Sequence, residues 1–176
     1  MIADSLAREA GVRTFVNLAD ADPREQAGYE GSYYSTQKVI ALGLGMKYQS
    51  KTFRDSLARG ITLMARSEPP FLIHCSLGKY RAGFVCALVE CLGGATLDEV
   101  VSDYLVSFSN YFGIQKGSRE YGTVGECEIT RFLAEAFGVK TSDLAHINLA
   151  DAGERYFRGI GVRVEDVETL REKLRP

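Results

Sequence analysis

Several things are scarce or missing in this 176-residue chain: there is no tryptophan, there are only two histidines (His74 and His146), and the four cysteines (Cys75, Cys86, Cys91 and Cys127) include no CxxC pair. Zinc sites and disulfide frameworks need patterned Cys and His, so neither is expected, and any chemistry should run without a metal or other cofactor. Long apolar runs are absent too, with nothing near the roughly 20 residues that cross a bilayer. The first residues carry Asp4 and Glu9 and lack the cationic start and apolar centre of a secretory signal. A cytoplasmic, soluble protein with reduced thiols is the expectation. Strong charge of either sign is missing as well: 21 Lys and Arg face 23 Asp and Glu, a net −2. A nucleic-acid partner would call for a basic surface, so none is expected, although a local basic pocket stays open. Nothing in the pattern speaks to oligomeric state.

What is present suits a self-sufficient core. Hydrophobic residues make up 45% and charged residues 25%, an ordinary globular mix, and the length fits one domain over residues 1–176 with no internal repeat. A short helix around residues 5–10 precedes an apolar, β-branched strand at 12–18 (VRTFVNL). Residues 20–34 are polar and glycine-containing and read as a loop, and 38–44 (KVIALGL) as a second strand. Phe53, Leu57, Ile61 and Met64 recur at helical spacing over 52–66, with Ser50 or Thr52 as cap and Pro69-Pro70 beyond the end. A third strand, 71–74 (FLIH), leads to a helix at 81–92 that is apolar nearly all round and therefore buried. Thr96 and Glu99 form a capping box that opens a helix through 106, and further helices follow at about 126–137, 148–157 and 164–174. Strands alternate with helices and then give way to helices alone, which predicts an α/β fold with a small, mostly parallel central sheet and a helical C-terminal part.

One stretch carries the functional argument. Cys75 directly follows the apolar strand, and Arg81 stands after five intervening residues at the mouth of the buried helix. A loop of that length can turn successive backbone N–H groups toward one centre, and with the helix N-terminus they bind a dianionic oxyanion such as phosphate. Arg81 adds a bidentate donor pair that lysine could not match. The same field favours a thiolate at Cys75, whose reference pKa near 8.5 falls to about 3.5–7.5 in such places. In-line attack on phosphorus would give a cysteinyl-phosphate that water then hydrolyses. Cys86, Cys91 and Cys127 lack this context and are expected to be small core residues.

The loop HCSLGKYR and the segments around it resemble the bacterial tyrosine-protein phosphatases of the dual-specificity superfamily, whose loop typically reads HCxxGKDR before small residues and a buried helix. GVRTFVNL resembles the family's early strand, GATLDEVVSDYLVSFSNYFG its stretch after the catalytic helix, and GVRVEDVETLREKL its last helix, so the resemblance runs over nearly the whole chain. A rhodanese-like loop is the alternative, and Gly78 with Ala82-Gly83 favours the phosphatase type. The resemblance implies the Cys-based phosphatase fold. It makes Cys75 the nucleophile and Arg81 the phosphate clamp, has Ser76, Leu77, Gly78, Lys79 and Tyr80 supply loop amides, and sets His74 to orient the loop. It further implies a phosphorylated protein as substrate, with phosphoinositides as the alternative that Lys79 would favour.

Several positions depart from that pattern. Tyr80 stands where the family has Asp, Leu77 where many relatives have an acid, and Ala82 where many phosphatases place a hydroxyl. Residues 38–51, where the wider superfamily keeps its mobile acid, contain no acidic residue, and Lys47 falls nearest that place. Members generally carry a segment ahead of the first strand, and this chain begins almost at that strand, so one sheet edge is expected to be less covered. Asp20 and Asp22 are the candidate general acids, with Asp55 behind them. Tyr29, Tyr33 and Tyr34 are expected as amphipathic loop cover, and Tyr104, Phe108, Tyr111 and Phe112 as core. Two readings follow: a metal-independent phosphomonoester hydrolase, or a phosphatase-fold protein that binds phosphate and turns over poorly.

Overall fold

The computed structural model describes residues 2–25, 28–124 and 128–175. Their contacts divide into two compact units, one of Met1–Leu77 with Ile160–Pro176 and one of Gly78–Gly159.

The first unit holds a three-stranded parallel sheet in the order β2-β1-β3, made of β1 (Thr14–Asn17), β2 (Lys38–Ala41) and β3 (Phe71–His74). Phe15 lies across from Val39 and Leu72, and Asn17 across from Ala41 and His74. Every residue of β1 is buried, as a central parallel strand covered on both faces must be. Thr14 is tolerated there because its hydroxyl donates to the Glu68 carbonyl at 2.8 Å. Side chains alternate along strands, so Phe15, Asn17, Leu72 and His74 share one face. Helix α1 (Ile2–Glu9) and the single turn α2 (Tyr33–Thr36) cover part of it: Ala7, Val12 and Phe15 pack with Tyr33, Tyr34, Val39 and Leu72. The Asp4 carboxylate accepts from the Tyr33 and Tyr34 amides at 2.9 and 3.0 Å, which joins α1 to the start of α2.

Helix α3 (Lys51–Ala65) starts at Ser50, whose hydroxyl accepts from the Phe53 amide, and buries the expected stripe Phe53, Leu57, Ile61 and Met64. It contacts β1 and β2, and α9 (Val164–Lys173) packs on it. The α3–α9 contact is polar at its end. Asp166 is 5% exposed and accepts from Arg163 Nε at 2.9 Å and from Arg66 Nε at 3.2 Å, while Lys173 Nζ donates to the Ser67 carbonyl at 2.7 Å.

The second unit is built around α4 (Tyr80–Gly93), which contacts α5 (Leu97–Phe112), α7 (Thr130–Phe137) and α8 (Leu149–Gly159), with α6 (Arg119–Val124) following α5. A helix surrounded in this way needs apolar residues on every side, which explains the lack of an amphipathic stripe in YRAGFVCALVECLG. Two glycines set the approach distances. A Cβ at Gly83 would lie 2.5 Å from Tyr104 Cε2, and one at Gly153 would lie 3.2 Å from the Leu92 backbone nitrogen.

The α/β class, the small parallel sheet and the helical C-terminal part are as expected. Corrections concern element ends. The helix opened by the Thr96–Glu99 capping box runs on to Phe112 and stops at Gly113, whose φ of +67° closes it, so Ser107, Ser109 and Asn110 did not break it at residue 106. Tyr33 and Tyr34 belong to a helical turn, not to the loop, and α6 was not anticipated. The helix expected at 126–137 is Thr130–Phe137, and residues 125–127, Cys127 among them, lie outside the described residues. Tyr104 and Phe108 are buried as expected, whereas Tyr111 and Phe112 are each 57% exposed. Among the described residues no helix is long and apolar enough to cross a membrane, and no group of three or more His, Cys, Asp or Glu is placed to hold a metal ion.

Candidate active site

In the first unit, the carboxyl ends of β1 and β3 lie side by side, held by the Leu18 amide donating to the His74 carbonyl at 2.8 Å. Cys75, half-buried and in no disulfide, is the next residue. The carboxyl ends of parallel strands are where α/β folds place their ligand sites. Asn17 organises this end. Its Oδ1 accepts from the Ala19 and Asp20 amides at 2.9 and 3.1 Å, and its Nδ2 donates to Asp20 Oδ2 at 2.9 Å and to the Tyr34 hydroxyl at 3.1 Å. Asp20 is thereby fixed beside the strand ends. The His74 ring meets Phe15 and Tyr34 edge to face, at centroid distances of 6.5 and 5.6 Å. Burial pushes its pKa down, with the Asp20 charge opposing, so the imidazole is neutral near pH 7. Its Nε2 is buried and makes no hydrogen bond among the described residues, so any bond that orients the loop must come from Nδ1. A cavity of about 290 Å³ adjoins this ring and is bounded by Phe15, Leu72, Tyr29 and Tyr34.

The candidate acids differ in their surroundings. Asp22 is gripped by the Arg24 side chain and amide, and these hydrogen bonds bring its carboxyl down to about 2. A carboxylate held ionised in this way is a poor proton donor. Asp55 pairs with Lys51 Nζ, one turn before it on α3, at 2.6 Å, the ordinary role of a helical surface charge. Asp20 alone among the three lies on the loop just past the carboxyl end of β1, held there by Asn17 beside the end of β3 that leads into Cys75.

Beyond Cys75, Ser76, Leu77 and Gly78 are exposed, Leu77 at 54%. Gly78 opens the second unit with φ +63°, a left-handed conformation that favours glycine. Its carbonyl accepts from Ser107 Oγ of α5 at 3.2 Å. Lys79 is 4% exposed and its ammonium lies over four aromatic rings: Tyr80 at 4.2 Å, Phe112 at 4.3 Å, Phe108 at 5.0 Å and Tyr111 at 5.5 Å. Contacts of this kind run from about 0.5–1 kcal/mol where the ring is exposed to about 2 kcal/mol where the pair is desolvated. Tyr80 meets Phe108 edge to face at 6.2 Å. Arg81, half-buried, is the second residue of the 14-residue helix α4, and no side-chain hydrogen bond caps that helix. Cys91 is fully buried, and burial pushes its thiol up to about 12, which keeps it out of nucleophilic chemistry. Cys86 is half-buried.

Sequence reasoning overlooked Asn17 and Ser107 as supports. Asn17 had a signal, an amide side chain at the end of an otherwise apolar strand. Ser107 had none, because only the helical register of α5 brings it to Gly78.

The profile of the tyrosine phosphatase family matches residues 16–176. The chain belongs to the tyrosine phosphatase family. It is similar to a tyrosine-protein phosphatase of Nostoc commune, 24% identical over 197 residues that cover 93% of this chain and 66% of that protein. It is also similar to the triple specificity protein phosphatase PtpB of Mycobacterium tuberculosis (strain ATCC 25618 / H37Rv), 48% identical over 52 residues, or 30% of this chain and 18% of that protein. The chain thus spans about two-thirds of the length of the Nostoc phosphatase, and the match to the mycobacterial one is confined to a short segment.

Proposed function

We propose that this member of the tyrosine phosphatase family hydrolyses phosphomonoesters through a cysteinyl-phosphate on Cys75. The observation that carries the reading is one run of chain: a half-buried cysteine in no disulfide directly follows a parallel strand, and Arg81 stands after five intervening residues in the first turn of a helix that no side chain caps. The Cys75 thiolate attacks phosphorus, forming the S–P bond as the ester P–O bond breaks, and the departing oxygen takes a proton. Water then attacks, the new O–P bond replaces S–P, and phosphate leaves as the thiolate returns. The amides of Ser76, Leu77, Gly78, Lys79 and Tyr80, with the Arg81 guanidinium, hold the phosphoryl oxygens as charge develops. His74 orients the loop as a neutral ring. Asp20 is the proposed proton donor, since Asp22 is committed to Arg24. Phosphorylated protein is the substrate class put forward, and phosphoinositides are the alternative. A second reading, a phosphate-binding protein that turns over poorly, is favoured by the absence of any acid in residues 38–51 and by the Asp22–Arg24 pair.

An activated aryl phosphate assayed beside a phosphotyrosine peptide and phosphoinositide vesicles separates these readings. Turnover of aryl phosphate and peptide at comparable rates supports a hydrolase with an effective donor, and preference for vesicles selects the lipid alternative. Phosphate affinity without release from any substrate supports the binding protein. Cys75→Ser is expected to abolish release while keeping phosphate affinity, and Arg81→Ala to weaken both. Release persisting in the serine variant excludes thiolate chemistry.

A further inference from the structure

We propose that Lys79 is a positioning residue whose ammonium, enclosed by Tyr80, Phe108, Tyr111 and Phe112, fixes the entry of α4 on the end of α5 and contributes no charge to substrate. The inference rests on the reading of residues 75–81 as the phosphate site and changes what that site recognises.

Three observations support it. Lys79 is almost fully buried although a lysine costs free energy to bury, and none of the ion pairs among the described residues includes it. Its compensation is the set of ring faces within 5.5 Å of Nζ, all of them on α4 or α5. The two rings that complete the set, Tyr111 and Phe112, are otherwise large exposed aromatics with no evident reason to be aromatic. The same short run of chain is tied to α5 on either side of Lys79: Ser107 holds the Gly78 carbonyl, and Gly83 lies flush against the Tyr104 ring. Tyr80 supplies a ring to the cage where an Asp would have placed a second charge close to the ammonium. Arg81 is two residues away, so the direction of its guanidinium and of the first amides of α4 follows from how this turn is seated. The consequence for specificity is direct. The lysine that the family resemblance offers to highly charged phosphoinositides is instead enclosed by aromatic rings. A singly phosphorylated protein side chain needs no further cation.

The first test reads the cage without catalysis. Competitive labelling of the native protein with acetic anhydride, followed by mass spectrometry, should modify Lys79 at least about tenfold more slowly than the exposed Lys51 and Lys140, a ratio equivalent to about 1.4 kcal/mol. Phe112→Ala should remove most of that protection. Equal labelling of Lys79 and Lys51 in the wild type overturns the proposal. The second test reads position. Lys79→Met and Phe112→Ala should each lower kcat for aryl phosphate by roughly tenfold with little change in KM, Lys79→Arg should restore it, and the double variant should be no worse than Lys79→Met. A Lys79→Met variant that raises KM only for phosphoinositide, beside a silent Phe112→Ala, makes Lys79 a substrate contact and overturns the proposal. Should the wild type release no phosphate, orthovanadate affinity replaces kcat. The phosphatase reading then fails by itself, and the cage is decided by labelling and vanadate binding.

Discussion

At the scale of single residues, the site separates into groups whose identity fixes their role and groups whose role depends on a neighbour. Asp20 and Asp22 are two residues apart and chemically identical, yet Asn17 holds one at the strand ends and Arg24 holds the other, whose carboxyl stands at about 2. A positioned acid is worth about 10² to 10⁴ in rate when the leaving oxygen is basic, and little when it is acidic. Asp20→Asn is therefore expected to cost about a hundredfold on a phosphotyrosine peptide and to leave an activated aryl phosphate nearly unaffected. Asp22→Asn should leave both steady-state rates within about twofold, as expected of an exposed ion pair. Equal losses in the two variants, or on the two substrates, would remove Asp20 as donor. Cys75 and Arg81 were legible because their spacing in the chain is their chemistry. Lys79 was not, because the direction of its side chain is set by rings some thirty residues further on.

At the scale of elements, period and capping carried most of the information. FLIH was readable as a strand and the Thr96–Glu99 box as a helix start, since each rests on local physics. The far end of α5 was not readable. Its last turns hold polar residues that favour a stop, and tertiary contacts with Gly78, Lys79 and Tyr80 repay their continuation. The pairing of α4 with α5 depends on Gly83, where a methyl group would meet the buried Tyr104 ring, itself held by its hydroxyl donating to Glu128 Oε2 at 3.0 Å. Gly83→Ala should destabilise by about 1–3 kcal/mol, read as a lowered urea midpoint. Tyr104→Leu in the same background should recover part of the loss by removing the ring edge. A Gly83→Ala variant as stable as wild type would show that α5 can yield without cost.

For the whole molecule, stability against pH follows from a few carboxyls that pull in opposite directions. The Asp166 carboxylate is held below the usual 3.8, first by Arg163 and then by Arg66. Its contribution is present above that pH and is lost as acid protonates it. Glu90 behaves in reverse: burial, then the charge of Asp103 and the hydrogen bond between them, push its carboxyl up to about 8. From 4.5 to about 8 the folded chain keeps a proton that the unfolded chain has released, so stability declines as pH rises through that window. His74, lowered by burial, works against this trend only below its reference value of 6.5, which leaves the range from 6.5 to 8 to Glu90. Urea melts across that range should show a falling midpoint in the wild type and a flat one in Glu90→Gln, with the variant the more stable protein at pH 8. An unchanged slope in the variant would show that Glu90 is already ionised in the folded chain. Asp166→Asn should cost about 1–3 kcal/mol at pH 7. Its deficit should narrow as pH falls below 3.8, because acid protonation of the wild-type aspartate removes the charge that the two arginines hold.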